Sequence, residues 1–184
     1  MARLPLVSDR PGDPELARIF ADLRRQGREP SNLYRTLGHA PRMLAAWVGL
    51  AWPLRAEPSV PRALRELMIM RAAQLTAAEY EWAHHWRMAV AAGVPEAKLL
   101  ALAGWRSSEL FEAAERAALA YTEGIVAHDV GDDVLGEVRH LFSPAEVIEL
   151  TLTAGFYACV ARVLHALRVD LEPGHEEELR AMRA

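Results

Sequence analysis

Apolar residues recur every three to four positions along almost the whole chain. No segment alternates apolar and polar residues as a half-buried strand does. This periodicity predicts an all-α protein built as a helical bundle. Because no linker rich in glycine or serine and no internal repeat divides the sequence, we expect a single domain over residues 1–184.

Prolines, glycines and capping residues mark the ends of the predicted helices. Ser59, Thr76 and Ser143 are candidate N-caps, and the last two begin Ser/Thr-x-x-Glu capping boxes. We predict an N-terminal helix over about 14–26 and a loop around 30–32, and residues 174–184 form a charged C-terminal tail with at most one loose helix. The other predicted helices cover about 41–52, 62–74, 77–92, 95–103, 108–127, 132–141 and 144–168.

Composition narrows the class of protein further. The 184 residues are 52% hydrophobic and carry a net charge of −4, which allows a sizeable core and argues against nucleic-acid binding. The longest charge-free runs, 43–54 and 150–161, have twelve residues, below the roughly 18 of a membrane span. A lone Cys159, which we expect to be buried, excludes an intrachain disulfide. We therefore expect a cytoplasmic protein that binds neither membrane nor nucleic acid.

Three ionisable side chains fall on helix faces that are otherwise apolar. Glu81 and His85 are one turn apart on one predicted helix, and Glu66 lies on the apolar face of the helix before it. The turn at 75–77 is short, so these helices should pack antiparallel and bring Glu66 near the other two. The alternative is that Glu81 and His85 form an ordinary pair on a solvated face, contributing only about 0.3–0.5 kcal/mol.

Two chemistries fit such a cluster. Burial raises the pKa of a carboxyl group, so two acids and a histidine in an apolar pocket suit proton transfer. A di-metal site is the second reading, because Glu81–His84 and Glu137–His140 both have the Glu-x-x-His form of di-iron bundles. The second motif lies in a segment of only about ten residues, and a metal would leave Glu66 and His85 unexplained. We therefore expect no metal and no cofactor.

The segment Arg65–Ala89, with Glu79-Tyr80-Glu81-Trp82-Ala83-His84-His85-Trp86 at its centre, resembles the signature of the carboxymuconolactone decarboxylase family. Further resemblance lies at 30–36, 41, 115–121 and 142–164, so that it covers about residues 32–173. It implies the all-helical alkylhydroperoxidase D-like fold and a homo-oligomer, a trimer or hexamer.

The peroxidase branch of that superfamily has a glutamate followed, twelve residues later, by Cys-x-x-Cys-x-x-x-His. Glu66 and His85 stand where the glutamate and histidine belong, but Ala78 and Glu81 occupy the two cysteine positions. Thiol-based peroxide reduction needs both sulfur atoms. The resemblance therefore implies a member without thiol peroxidase activity.

The resemblance implies cofactor-free decarboxylation, or a related proton transfer, on a small lactone or carbonyl acid. In this reading His85 donates or shuttles the proton, Glu81 orients or charges it, and Glu66 is a second acid or base. One alternative is a ligand-binding or structural protein of the peroxidase family without thiol activity, with both glutamates exposed to solvent. Another is a residual redox protein that depends on Cys159.

Overall fold

The computed structural model describes residues 2–56 and 59–183, and every regular element in these ranges is a helix. The predicted all-α class is confirmed. The helices are α1 (Pro14–Arg25), α2 (Asn32–Leu37), α3 (Pro41–Ala51), α4 (Pro53–Ala56), α5 (Arg62–Leu75), α6 (Glu79–Ala91), α7 (Glu96–Leu100), α8 (Ala113–Ala127), α9 (Asp132–Leu141), α10 (Pro144–Leu167) and α11 (Glu176–Arg183), and a 3₁₀ turn (Ala101–Gly104) follows α7.

Helix α5 is the centre of the bundle. It packs against α6, α8 and α10, and most of its side chains are buried, including the charged Arg65 and Glu66. Within residues 2–56 and 59–183, Arg65 forms no ion pair with a carboxylate; its guanidinium donates to the carbonyl oxygens of Leu54 and Val60. The enclosure of α5 on three sides therefore brings polar groups as well as apolar ones into the core.

The turn between α5 and α6 differs from the predicted capping box. The Thr76 hydroxyl donates to the carbonyl oxygen of Ala72 at 2.7 Å, so it closes the last turn of α5. Ala77 adopts a positive φ of 50°, and α6 begins only at Glu79 without a side-chain cap. The predicted start at 77 was wrong because the hydroxyl bonds backward along the chain, a competing bond that threonine often makes.

Other boundaries also moved. Ser59 does not cap α5; the N-cap is Pro61, and the Ser59 amide donates to Glu149 of α10. Helix α8 begins at Ala113 rather than 108, behind a capping box formed by Glu112 and Glu115. The short helices α2 and α4 were not predicted, because six and four residues are too few to show a helical period.

The C-terminal segment is more firmly attached than a charged tail. Helix α11 packs against α6, where the Trp82 indole donates to the carbonyl oxygen of Glu178 at 2.9 Å and Arg87 pairs with the Glu178 carboxylate. Glu178 is consequently buried. The mixture of charges at 174–183 reflects pairing with α6, while Ala184 lies outside the described residues.

Helix α10 begins as predicted. The Ser143 hydroxyl accepts from the Glu146 amide, and the Glu146 carboxylate accepts from the Ser143 amide at 2.8 Å, which forms the predicted capping box. The helix is long and apolar enough to cross a membrane by length and composition alone. Half of that apolar window is buried inside the protein, however, a pattern that the core helices of soluble proteins share.

The two serines predicted as caps give a matched test. Ser143→Ala should lower the free energy of unfolding by about 1 kcal/mol, because it removes a cap from the longest helix. Ser59→Ala should change it by less than about 0.5 kcal/mol, because its hydroxyl caps nothing. Urea unfolding followed by circular dichroism measures both, and equal effects of the two substitutions would contradict the assignment of the caps.

Candidate functional site

The centre of the site is a buried hydrogen bond between a side chain of α5 and one of α6. Nδ1 of His85 lies 2.7 Å from Oε2 of Glu66, and the two side chains are 2% and 0% exposed. Arg62, one turn earlier on α5, pairs with the other Glu66 oxygen. Burial raises the pKa of Glu66, but His85 and Arg62 outweigh burial and hold that pKa below its usual value. Glu66 is therefore a carboxylate, and the Nδ1–H group of His85 donates to it.

Glu81 lies on the other side of the imidazole, where its environment shifts its pKa in the opposite direction. Its Oε2 is 3.4 Å from Nε2 of His85 and has no hydrogen-bond partner among residues 2–56 and 59–183, although it is buried. Burial raises the pKa of Glu81, and the opposing charges of His85 and Arg55 do not offset this effect. The environment thus favours the protonated acid on the Nε2 side of the ring.

The two carboxyl groups therefore have pKa values shifted in opposite directions although they flank one ring. The lowered pKa of Glu66 favours its charged form, which fixes the orientation of His85, while the raised pKa of Glu81 favours its protonated form close to Nε2. Environments that push two acids apart in pKa are how one site holds both an acid and a base near neutral pH. The arrangement can deliver a proton to a neighbouring atom or remove one from it.

A phenol and a guanidinium complete the surroundings of the imidazole. The Tyr157 ring of α10 meets His85 edge-on, with centroids 4.8 Å apart. Nε of Arg55 donates to the Tyr157 hydroxyl at 3.2 Å, and Nη1 of Arg55 lies 3.4 Å from the Tyr34 hydroxyl. Burial raises the pKa of Tyr157 to about 12, so this phenol is neutral at physiological pH.

A cleft of about 610 Å³ gives a small molecule access to these groups. Glu81 and His85 line it, whereas Glu66 lies behind the imidazole. The remaining wall contains both polar and apolar side chains. It includes Leu33, Tyr34, Arg55, Arg62, Tyr80, His84 and Met88.

The structure brings together all three side chains predicted from the sequence. Glu66, Glu81 and His85 are buried, which does not fit the alternative of a pair on a solvated face. Ala78, at one of the family's cysteine positions, is also buried. The expectation that Cys159 is buried was wrong: it is exposed on α10 and does not line the cleft, since it falls on the outward side of a helix that is apolar on several faces.

The two Glu-x-x-His motifs do not meet in one site. Glu137 and His140 are exposed on α9, which packs mainly against α8 and α10. His84 instead pairs with Glu172 at 2.6 Å and stacks on Tyr80. Across the described ranges, no group of three or more His, Cys, Asp or Glu side chains is arranged to hold a metal ion.

Three residues near the site were not predicted from the sequence. The position of Arg62 could have been predicted, because it lies four residues before Glu66 and residues at this spacing share a helix face. No local sequence pattern predicts Arg55 or Tyr157, because these residues come from α4 and α10 and reach the site only through tertiary contacts.

Comparison with known proteins points to one family. The sequence profile described as "Carboxymuconolactone decarboxylase family" matches residues 41–124, which contain Glu66, Glu81 and His85. The chain is similar to the carboxymuconolactone decarboxylase family over this segment, a little under half of its length. No curated protein matches the sequence.

Solved structures share the fold of this chain over nearly its whole length. The debrominase Bmp8 has 22% identity, a TM-score of 0.77 and coverage of 92% of both chains. Its complex with 2,3,4-tribromopyrrole has 21% identity and a TM-score of 0.82, covering 99% of this chain and 100% of that one. An alkylhydroperoxidase AhpD core protein from Ralstonia eutropha JMP134 has 14% identity and a TM-score of 0.81, covering 100% and 97%. The match to the family profile supports an enzyme-like role at the level of the family.

The charged state of Glu66 predicts a pH-dependent loss of stability. Glu66→Gln should lower the free energy of unfolding by about 3 kcal/mol at pH 7, because it leaves a buried imidazole and a half-buried guanidinium without their carboxylate. Since the folded pKa of Glu66 is lowered, its contribution is present above the unfolded pKa near 4.3 and is lost as pH falls through the folded value. Denaturant unfolding at pH 7 and pH 3 measures this difference. Glu137→Gln, on the exposed face of α9, is the matched control.

For Glu81 we predict a pH dependence of stability with the opposite sign. Because its folded pKa is raised, its contribution to stability is full below the unfolded pKa and is lost as pH rises through the folded value. Glu81→Gln should therefore be nearly neutral at pH 4 and more stable than the wild type at pH 9, by on the order of 1 kcal/mol. Urea unfolding at the two pH values tests this, and a variant that is less stable at pH 9 would show that Glu81 is a paired carboxylate.

Proposed function

We propose that this protein is a lyase that uses general acid–base chemistry without a cofactor, acting by decarboxylation or a related proton transfer on a small lactone or carbonyl acid. One observation carries the proposal. His85 is held between two buried glutamates, Glu66 and Glu81, beside a cleft. Such a triad moves protons and needs no other reagent.

The proposed reaction balances without a redox partner. The bond between the substrate carbon and its carboxylate breaks, and its electron pair moves into the conjugated carbonyl, which becomes an enolate. Carbon dioxide leaves, and the enolate carbon takes one proton from the enzyme. Solvent then returns one proton to the site.

The geometry supports a separate task for each residue. Glu66 accepts the Nδ1–H hydrogen bond, and so fixes the imidazole and directs Nε2 toward Glu81 and the cleft. His85 and Glu81 share the reactive proton on that side. The same three residues would also serve lactone opening or isomerisation beside a carbonyl. We therefore propose proton transfer as the general chemistry and decarboxylation as the preferred reaction.

A self-associated, cytoplasmic enzyme with a small-molecule substrate completes the proposal. Ile148 and Leu152, one turn apart on α10, are 59% and 45% exposed. Apolar side chains of this size on one helix face suit contact with another subunit. A trimer or hexamer is the expected assembly.

The activity test measures release of carbon dioxide from a panel of carboxylated lactones and 3-oxo acids. His85→Ala should lower kcat about 10²-fold or more, because it removes the proton carrier. Glu81→Gln should lower it strongly too, since an amide cannot donate the acidic proton. Cys159→Ser is the matched control and should retain full activity.

Three results would contradict the proposal. Full activity in both the His85 and Glu81 variants would exclude the assigned roles. Peroxide consumption that disappears in Cys159→Ser would favour the redox alternative instead. Tight binding of the panel without any turnover would favour the alternative of a ligand-binding protein.

A further inference from the structure

Arg55 has a guanidinium that pairs with no carboxylate in the described part of the chain. Its Nε and Nη1 contact two phenols, Tyr157 and Tyr34, and its Nη2 has no hydrogen-bond partner among residues 2–56 and 59–183. Burial lowers the pKa of Arg55, but the two tyrosines outweigh it, and the net pKa is raised. Arg55 is therefore a permanent cation in the wall of the cleft.

The neighbouring acids do not neutralise this cation. Glu66 is already paired with Arg62 and His85. Glu81 favours its protonated form. A partly buried guanidinium that faces neutral groups leaves a positive potential at that point, which favours an incoming anion.

The charged residues at the rim are paired among themselves. Glu29 pairs with Arg24 at 2.9 Å, and Asp22 pairs with Arg25. Arg28 lies over the Trp52 ring at 5.4 Å and is exposed. Of the arginines on the cleft, Arg55 thus combines partial burial, a free Nη2 and a position beside the reactive imidazole.

A second cavity adjoins the cleft at this residue. It has a volume of about 330 Å³, and Tyr34 and Arg55 belong to the walls of both cavities. Its wall is mainly apolar, and the apolar members include Ile19, Leu23, Val48, Ala51 and Trp52. Arg55 therefore stands at the junction of a polar reaction cleft and an apolar pocket.

We propose that Arg55 is a specificity residue that binds a carboxylate of the ligand, while an apolar substituent of the same molecule fills the second cavity. The proposal deepens the proposed function and rests on it for the identity of the ligand as substrate. A planar guanidinium binds a carboxylate through two parallel hydrogen bonds, a geometry that ammonium groups do not offer.

The carboxylate held by Arg55 is one that the reaction retains. A guanidinium stabilises the charge of a carboxylate in the ground state, so it would oppose the loss of that same group as neutral carbon dioxide. The substrate class is accordingly an amphipathic acid with an apolar arm, a retained carboxylate and a separate reactive carbonyl that faces His85.

Binding of simple probes tests the proposal apart from turnover. Isothermal titration calorimetry on the full chain would compare 3-phenylpropanoate with 3-phenylpropanamide, which lacks the charge, and with acetate, which lacks the apolar arm. We expect 3-phenylpropanoate to bind about tenfold or more tightly than either. Arg55→Met should abolish the preference for the acid over the amide, while Arg139→Met, on exposed α9, should leave it unchanged.

The outcomes separate this proposal from the proposed function. Equal binding of acid and amide, or an Arg55→Met variant that binds as the wild type does, would overturn the carboxylate site. Selective binding that persists in His85→Ala, with no turnover of any lactone acid by the wild type, would support the site and count against the lyase. If Arg55→Met does not fold, Arg55→Lys is the second variant, because lysine keeps the positive charge but cannot form the two parallel hydrogen bonds of a guanidinium. A weaker but surviving preference of this variant for the acid would support the site. An affinity equal to that of the wild type would overturn it.

Discussion

The burial of one charged carboxylate constrains the whole centre of this protein. Glu66 is fully buried on α5 and keeps its charge only because His85 of α6 and Arg62 surround it. An unpaired buried charge is strongly destabilising, so the register between α5 and α6 must hold Nδ1 of His85 at hydrogen-bond distance. The interaction that fixes the helix pair is thus the same one that orients the imidazole toward the cleft.

Glu81 shows the opposite balance of stability and function. Its buried Oε2 lacks a hydrogen-bond partner in the described ranges, a destabilising arrangement that packing alone would not select. The same desolvation raises the pKa of Glu81 and so favours the protonated form that the proposed acid catalysis requires. Unfavourable local energetics that coincide with useful chemistry are typical of functional sites. The same site therefore contains Glu66, which is fully paired, and Glu81, whose Oε2 lacks a hydrogen-bond partner in the described ranges.

The sequence predicts structural features that depend on residues close together in the chain better than features that depend on tertiary contacts. Glu81 and His85 were predictable because a helix places residues four apart on one face, and the short turn before them brought Glu66 into reach. The role of Thr76 was not, since a threonine hydroxyl can bond either to the helix before it or to the one after it, and here it bonds back to α5. The exposure of Cys159 was missed because α10 is apolar on several faces, which leaves no period to separate inside from outside. Arg55 reaches the site through tertiary contacts between α4 and α10, which no local pattern records.

The three central side chains and part of their surroundings come from different segments of the chain. Residues 41–124, which match the family, contain the complete Glu66–His85–Glu81 triad. Parts of its surroundings come from outside that segment. Tyr157 packs against His85, and Glu172 accepts hydrogen bonds from the Tyr80 hydroxyl and from the Asn32 amide. Burial raises the pKa of Glu172, but its bond to His84 and the Asn32 amide lower it to about 2, so it remains charged and holds this wall in place over a wide pH range. Substitutions in these flanking residues can therefore reshape the cleft while the proton-transfer groups stay where α5 and α6 place them.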